Sequence, residues 1–414
     1  MTPPARLQMA IEILEGLEKT AQPADRFVKE WFRARRFAGS KDRREIAARV
    51  FAIQRHRAAL AWRMDDEKPR ALVIASLLDA GEDPAAFFTG GYGPAPLTEA
   101  EQAAMTMPRA EPPLRVRGEF PAFLESELTR AFGGAVQAEM IALQARAPAD
   151  LRVNSLKASR DEVLVGLRAE AVACEPTPFA PLGIRVPSGD GNAALSKSAL
   201  FLSGGFEFQD EAAQIASLLC GAQPGMRVCD LAAGAGGKSL ALAAAMDNRG
   251  EIIACDVRGP ALFELERRAA RAGATIIKTL MLDHGAPEGL FDVVLVDAPC
   301  SGTGTWRRQP ELRWRLTPQR LDELTALQDR LLDRAAGLVR PGGRLVYATC
   351  SILLVENQDR VAALLARNPA FMSVDAATAW PDGAPRPPGL GAEFRATPRT
   401  TGCDGFYAAI LRRG

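Results

Sequence analysis

Seven short apolar runs, separated by helical patterns, fill the chain from about Phe206 to the C-terminus. This alternation leaves few folds open. The runs cover residues 226–231, 251–255, 275–280, 291–296, 344–348, 371–374 and 406–411. They are strand-length rather than helix-length. Buried strands alternating with helices predict an α/β fold: a Rossmann-like, doubly wound sheet covered on both faces. In such sheets chemistry gathers just past the carboxyl ends of the strands.

Two cysteines fall at that edge. Cys300 lies in Asp297-Ala298-Pro299-Cys300-Ser301-Gly302, after the run 291–296, and Cys350 lies in Tyr347-Ala348-Thr349-Cys350-Ser351, after 344–348. One thiol stands beside a carboxylate, which suits a nucleophile and a helper. The chain has only two histidines, His56 and His284, so a thiol here must be activated by something other than imidazole. Seven cysteines with no Cys-x-x-Cys pair predict neither a disulfide framework nor a zinc site. Cys174, Cys220, Cys229, Cys255 and Cys403 read as small buried hydrophobes.

The first run leads into Asp230-Leu231-Ala232-Ala233-Gly234-Ala235-Gly236-Gly237-Lys238-Ser239 and then a helix. Small residues at a helix N-terminus let backbone N–H groups approach a ligand. The outer glycines lack the P-loop spacing. Asp256, at the tip of the next strand, stands where a nucleoside-binding fold places its acceptor for ribose hydroxyls. Asp283 follows the third strand. It is either an acceptor for an adenine amino group or a surface aspartate.

With 414 residues the chain has room for two or three domains. The spacing of Leu7, Ala10, Ile11, Leu14 and Leu17, then of Ile46, Ala47, Val50, Phe51 and Ile53, predicts helices over residues 1–88, with Ser40 or Asp42 as a cap. Gly- and Pro-rich residues 89–118 read as a linker with some helix near 99–105. Residues 119–205 read as a small α+β subdomain: helical over 120–145, a strand at 151–156, a helix at 160–169, and short strands with turns over 171–202. Residues 206–414 form the α/β domain. The net charge of +1 hides a basic block: residues 26–57 hold eleven Lys/Arg against three acids. That excess suits a phosphate backbone or a solvated helix face. Trp306, Arg307, Arg308, Arg313, Trp314 and Arg315 suit base stacking and phosphate contact, or a loop packed on its own domain. No apolar run reaches the ~18–20 residues needed to span a bilayer. The N-terminus lacks a signal-peptide pattern. The expectation is a cytoplasmic protein, monomeric, with no metal and no membrane partner.

These motifs resemble the RsmB/NOL1/NOP2/Sun family of RNA cytosine-5 methyltransferases, which use S-adenosylmethionine. The resemblance runs from about Phe120 to the C-terminus. It is carried by Leu151-Arg152-Val153-Asn154-Ser155-Leu156-Lys157, by Gln209-Asp210-Glu211-Ala212-Ala213, and by both cysteine motifs. The glycine loop, Glu356-Asn357 and Asp404-Gly405-Phe406-Tyr407 add to it. The loop departs from the family's Cys-Ala-Ala-Pro-Gly-Gly-Lys by losing the proline, which predicts a more flexible loop and a changed cofactor affinity. Arg267 or Arg268 stands where the family often has Asn. Arg33-Ala34-Arg35-Arg36-Phe37 and Asp42-Arg43-Arg44-Glu45-Ile46-Ala47 resemble the NusB-like RNA-binding domain of the bacterial 16S rRNA enzyme.

The resemblance implies that Cys350 adds to cytosine C6 and that Cys300 assists release of the product. Asp297 would hold the Watson–Crick edge of the base, and Lys238 would favour the thiolate. Ala232, Ala233, Gly234, Ala235, Gly236, Gly237, Lys238, Asp256, Asp283 and Asp297 would bind S-adenosylmethionine. A turn over 351–356, ahead of a helix, would lend Cys350 a helix N-terminus. The 306–315 segment, the 151–157 motif and the basic N-terminal block would grip RNA, with 16S rRNA the expected substrate. The alternatives are tRNA, 23S rRNA, or a ribosome-assembly factor without turnover. A DNA methyltransferase would place its nucleophile at the Cys300 position and leave Cys350 redundant.

Overall fold

The apolar spacing of the first eighty residues produces five helices: α1 (Pro3–Glu18), α2 (Ala24–Arg33), α3 (Ser40–Arg55), α4 (Arg57–Met64) and α5 (Pro69–Asp79). The computed structural model describes residues 1–187 and 194–414. They divide into two units, Met1–Ala145 with Trp306–Leu316, and Arg146–Thr305 with Thr317–Gly414. Residues 188–193, within the stretch expected to hold short strands and turns, lie outside the described residues. No helix among the described residues is long and apolar enough to cross a membrane.

In the helical unit α5 is buried on nearly every side, through Leu72, Val73, Ile74, Ala75 and Leu77. A helix apolar all round belongs at the centre of a core. Gly39, not Ser40 or Asp42, occupies the cap of α3. Asp42 instead pairs with Arg6 and the N-terminal amine. Residues 89–118 are more than a spacer: helix Glu99–Thr106 carries a Thr98–Glu101 capping box, and Arg70 holds Glu101 and the carbonyls of Ala95 and Pro96. The helical pattern over 120–145 is broken at Gly133, whose φ of 55° is a left-handed conformation that glycine tolerates. Helices Glu125–Phe132 and Val136–Ala142 flank the break.

The 306–316 segment returns to this unit. Trp306, Arg307 and Arg313 are buried. The Arg313 guanidinium donates to the carbonyls of Arg55 and Leu143, and the Trp314 indole N–H donates to the carbonyl of Gln54. The segment is packed, though on the helical unit rather than on the α/β domain expected to hold it, and Arg308 stays exposed. Buried Glu119 caps α4, its two oxygens accepting the Ala58 and Ala59 N–H groups at 2.7 and 3.0 Å. Burial pushes its carboxyl up to about 7, against the pull of those N–H groups and of Arg313.

The second unit contains two sheets. The smaller is antiparallel, in the order β2-β3-β1-β4, from β1 (Ala149–Val153), β2 (Glu175–Pro176), β3 (Gly183–Val186) and β4 (Phe206–Phe208). Strand β1 stops at Val153 because Asn154 turns the chain, its side-chain oxygen accepting from the Leu156 N–H. The larger sheet holds β5 (Arg227–Asp230), β6 (Glu251–Asp256), β7 (Ile277–Met281), β8 (Phe291–Asp297), β9 (Val339–Thr349), β10 (Phe371–Val374), β11 (Phe394–Ala396) and β12 (Phe406–Arg413). Its order is β10-β12-β9-β8-β5-β6-β7, with β11 beside β12. The β9-β8-β5-β6-β7 pairs are parallel, and β12 is antiparallel to β9. One apolar core collects Ile215, Leu240 and Leu265 from helices on one face. The other collects Leu332 and Leu364 from helices on the opposite face. This is the doubly wound Rossmann-like fold. The strand order reverses at β5, which opens a crevice between the loops after β5 and β8.

Three loops meet above that crevice. The Gly304 N–H donates to the Cys350 carbonyl at 2.9 Å, and the Gly405 N–H donates to the Gly304 carbonyl at 2.8 Å. A Cβ on Gly304 would stand 2.0 Å from the Gly405 oxygen.

Two outcomes follow from these contacts. Gly304→Ala must push backbone apart and should cost about 3 kcal/mol, read as a lowered denaturant midpoint at unchanged m-value. Glu119 binds its proton more tightly folded than unfolded. Its contribution is therefore fully present below the ordinary value of 4.5 and is lost as pH rises to about 7. Glu119→Gln removes the titrating group, but its amide nitrogen cannot accept the second N–H. Melting curves should show wild type losing at most about 3 kcal/mol between pH 4.5 and 7, and the variant, less stable than wild type at low pH, without that dependence.

Candidate active site

The loop after β5 is held from several sides. The Asp230 carboxylate, buried at the strand end, accepts from the Ser239 hydroxyl at 2.6 Å, and burial pushes it up to about 7. Gly234 and Gly236 adopt φ of 56° and 79°, and a Cβ on Gly236 would meet Leu265 Cγ at 2.4 Å. The Ala233 N–H donates to the Cys255 carbonyl at 2.8 Å. Arg152 donates to the Gly237 carbonyl, and Arg268 to the Ala235 carbonyl, both at 2.6 Å. Arg268 is itself fixed by Glu207, while Arg267 pairs on the surface with Glu264. The loop expected to be loose without its proline is therefore braced by two arginines.

A cavity of about 570 Å³ lies against this loop. That volume is ordinary for a small-molecule site. Ala232, Ala233, Gly234, Ala235, Gly237, Asp256 and Asp297 line it, with Leu231, Val257 and Leu282 as apolar wall. Asp256 accepts the Gly234 N–H at 2.8 Å and the Arg258 side chain and N–H. Burial alone would raise its carboxyl, but these donors hold it below the usual range. Gly236 turns the loop and Lys238 points elsewhere; neither lines the cavity. Asp283 is exposed and also outside the lining, because the chain turns after Met281, whose carbonyl accepts the His284 N–H.

Strands β8 and β9 are parallel neighbours with Asp297 opposite Ala348, so their following loops run side by side. They bring the Cys300 and Cys350 sulfurs to 3.4 Å. The hydrogen bond that Cys300 donates to Cys350, together with burial, pushes the Cys300 thiol well up, so it stays protonated. Lys238, on the helix after the glycine loop, reaches Asp297 Oδ2 at 2.6 Å and lies 5.1 Å from the Phe406 ring centre. Burial lowers its affinity for a proton, but Asp297 more than offsets this, and Lys238 remains an ammonium in the field of Cys350.

What pins the two thiol loops together is Glu356, which is fully buried. Its carboxylate accepts the Ser301 N–H at 2.8 Å, the Gln328 amide at 3.0 Å, and the Ser301 and Ser351 hydroxyls. Glu356, Asp230 and Arg268 were not singled out as site residues from sequence. Glu356 had a signal, being the one charged residue between Tyr347 and Gln358. The helix expected to lend Cys350 its positive end begins only at Gln358, beyond the first-turn reach of that field. Cys220, Cys229, Cys255 and Cys403 are buried, as expected of small hydrophobes. The first four residues of the 151–157 motif face inward, while Ser155 and Lys157 are exposed: Arg152 holds the glycine loop, and the Asn154 amide donates to the carbonyls of Gly204 and Ala272.

A family model described as 16S rRNA methyltransferase RsmB/F matches residues 218–412. A second, for the ferredoxin-like domain of RsmF/B-like methyltransferases, matches residues 120–190. The ribosomal RNA small subunit methyltransferase F of Cronobacter sakazakii is 34% identical over 274 residues, covering 64% of this chain and 56% of that protein. The probable ribosomal RNA small subunit methyltransferase B of Synechocystis is 33% identical over 300 residues, covering 71% and 67%. The chain thus spans little more than half the length of the first of these relatives. The crystal structure of PH0851 superposes with a TM-score of 0.78 at 26% identity, covering 100% of this chain and 99% of that one. On these matches, and on its Rossmann-like fold, the chain belongs to the 16S rRNA methyltransferase RsmB/F family.

Proposed function

We propose that the chain is an S-adenosylmethionine-dependent RNA cytosine-5 methyltransferase acting on 16S rRNA. The observation that carries this reading is the 3.4 Å approach of the Cys300 and Cys350 sulfurs at the tips of adjacent parallel strands, in the same unit as the Lys238–Asp297 pair. A single structural thiol needs no partner sulfur.

The residues fit the methyl donor. Asp256 stands at a strand tip to accept ribose hydroxyls, and the loop bearing Gly234 leaves backbone close to the cavity. Leu231, Val257 and Leu282 suit an adenine face. When bound, S-adenosylmethionine supplies an electrophilic methyl group.

Cytosine C5 is a poor nucleophile until C6 carries a thiolate. Cys350 Sγ adds to C6, converting one difficult step into two easier ones. Asp297 accepts the N3–H that the adduct gains by taking a proton from water, and Lys238 holds that carboxylate in place. Once C5 carries the methyl group, its proton passes to water as the C6–S bond breaks, and Cys300, kept as a thiol, donates to the Cys350 sulfur and stabilises it as the leaving thiolate. A base must be unstacked to reach these sulfurs.

The test is a denaturing gel of protein from cells. Cys300→Ala should carry a slower, ribonuclease-sensitive band, absent from the Cys300/Cys350 double variant. Cys350→Ala should lose roughly 10³-fold or more in rate with no adduct. If Cys300→Ala is inactive and carries no RNA, the division of labour between the thiols is wrong. Asp256→Ala should weaken S-adenosylmethionine binding about tenfold by calorimetry and leave RNA affinity unchanged.

A further inference from the structure

The turn joining α2 to α3 exposes an aromatic ring; elsewhere in the helical unit Tyr92, Met107 and Ile141 are exposed as well. Phe37 is 76% exposed, whereas Phe32, one turn earlier, is 5% exposed. Among the described residues of α1 to α5 and their connections, Met1 is the only other large apolar side chain classed as exposed. Leaving a phenylalanine in water forgoes about 2 kcal/mol of burial. The ring is not there because the turn is loose. Arg43 Nε donates to the Ala38 carbonyl at 2.7 Å and its Nη2 to the Arg36 carbonyl, while the Ala38 N–H donates to the Arg35 carbonyl. Ala38 is buried, which anchors the backbone and leaves Phe37 facing outward. Arg35 lies over the Trp31 ring at 3.7 Å and fixes the end of α2.

Charge surrounds this ring. Arg33, Arg36 and Lys41 are exposed, and among the described residues none of the three has an ion-pair partner. A single ring among exposed cations is too small for an apolar protein contact, which needs several hundred Å² per partner. It matches one unpaired base with phosphates on either side. We propose that Phe37 stacks on an unpaired base of the RNA while Arg33, Arg36 and Lys41 take the flanking phosphates. This rests on the RNA-methyltransferase reading and assigns part of the RNA grip to the 34–39 turn. The 306–315 segment, with its buried Trp306 and Arg313, cannot offer the same contact.

Filter binding of the full chain to a 16S rRNA transcript, across a salt series, tests the assignment. Phe37→Leu should weaken binding about five- to tenfold at every salt concentration, without changing the salt slope, and Phe37→Trp should restore it. The triple variant Arg33→Gln/Arg36→Gln/Lys41→Gln should flatten the slope by about 2. Unchanged affinity for Phe37→Leu overturns the stacking role, even if the triple variant is weakened. Binding of wild type to phosphatidylglycerol vesicles, lost in Phe37→Leu while RNA affinity is kept, overturns it in favour of a membrane. The adduct assay on Cys300→Ala separates the two readings. Adduct formation with unchanged Phe37→Leu binding sinks this inference alone. Absence of both adduct and wild-type RNA binding sinks both.

Discussion

A buried carboxylate holds the reactive end of this protein together. Glu356 has no exposure, and its oxygens are shared among donors from the loop after β8, the loop after β9 and the helix Pro318–Leu338. Parallel strands alone would bring Cys300 and Cys350 to neighbouring strand tips. They would not bring the sulfurs to 3.4 Å, because Cys300 sits three residues past β8 and Cys350 one residue past β9. The carboxylate removes that freedom by accepting from both serines that follow the cysteines. Removing it would leave buried donors unpaired, at about 1–3 kcal/mol each. The two close-packed glycines, Gly304 and Gly405, complete the arrangement by letting a third loop lie against the first.

The cofactor side is organised by the same means, with charge substituted for covalent stiffness. A proline would fix one backbone dihedral of the glycine loop. Here Arg152 and Arg268 each take a loop carbonyl instead, and Glu207 and Gln209 hold those arginines in turn. Arg152 and Asn154 belong to a motif that reads in sequence as a grip on RNA. Their side chains are spent on the protein's own backbone. The resemblance located residues that matter, but their partners lie 50 or more positions away and are invisible to any local pattern.

Two segments mix aromatics with arginines, and they meet opposite fates. In the 306–315 segment the guanidiniums find backbone carbonyls of the helical unit, and Trp306 is sealed inside. In the 34–39 turn Arg35 lies over Trp31, the Arg36 side chain is exposed, and Phe37 stays out. A buried arginine is tolerated only where acceptors are waiting, and whether they wait depends on which helix ends the chain passes.

The sequence by itself determined what is local. The period-2 and period-3.6 patterns marked every strand of the large sheet except three-residue β11, mostly within two residues of its bounds. Strand β9 starts earlier, at Val339, through a register shift against β8. The two thiols, Asp297, the glycine loop and Asp256 were legible because strand tips are where such folds concentrate chemistry. Only the tertiary structure decided that Asp283 stands outside the cavity, that Glu356 clamps the thiol loops, and that Phe37 remains exposed while Trp306 is buried. Hydrogen-bond acceptance and burial are set by groups brought together from distant positions. A single chain read in order carries the donors and acceptors but not their pairing.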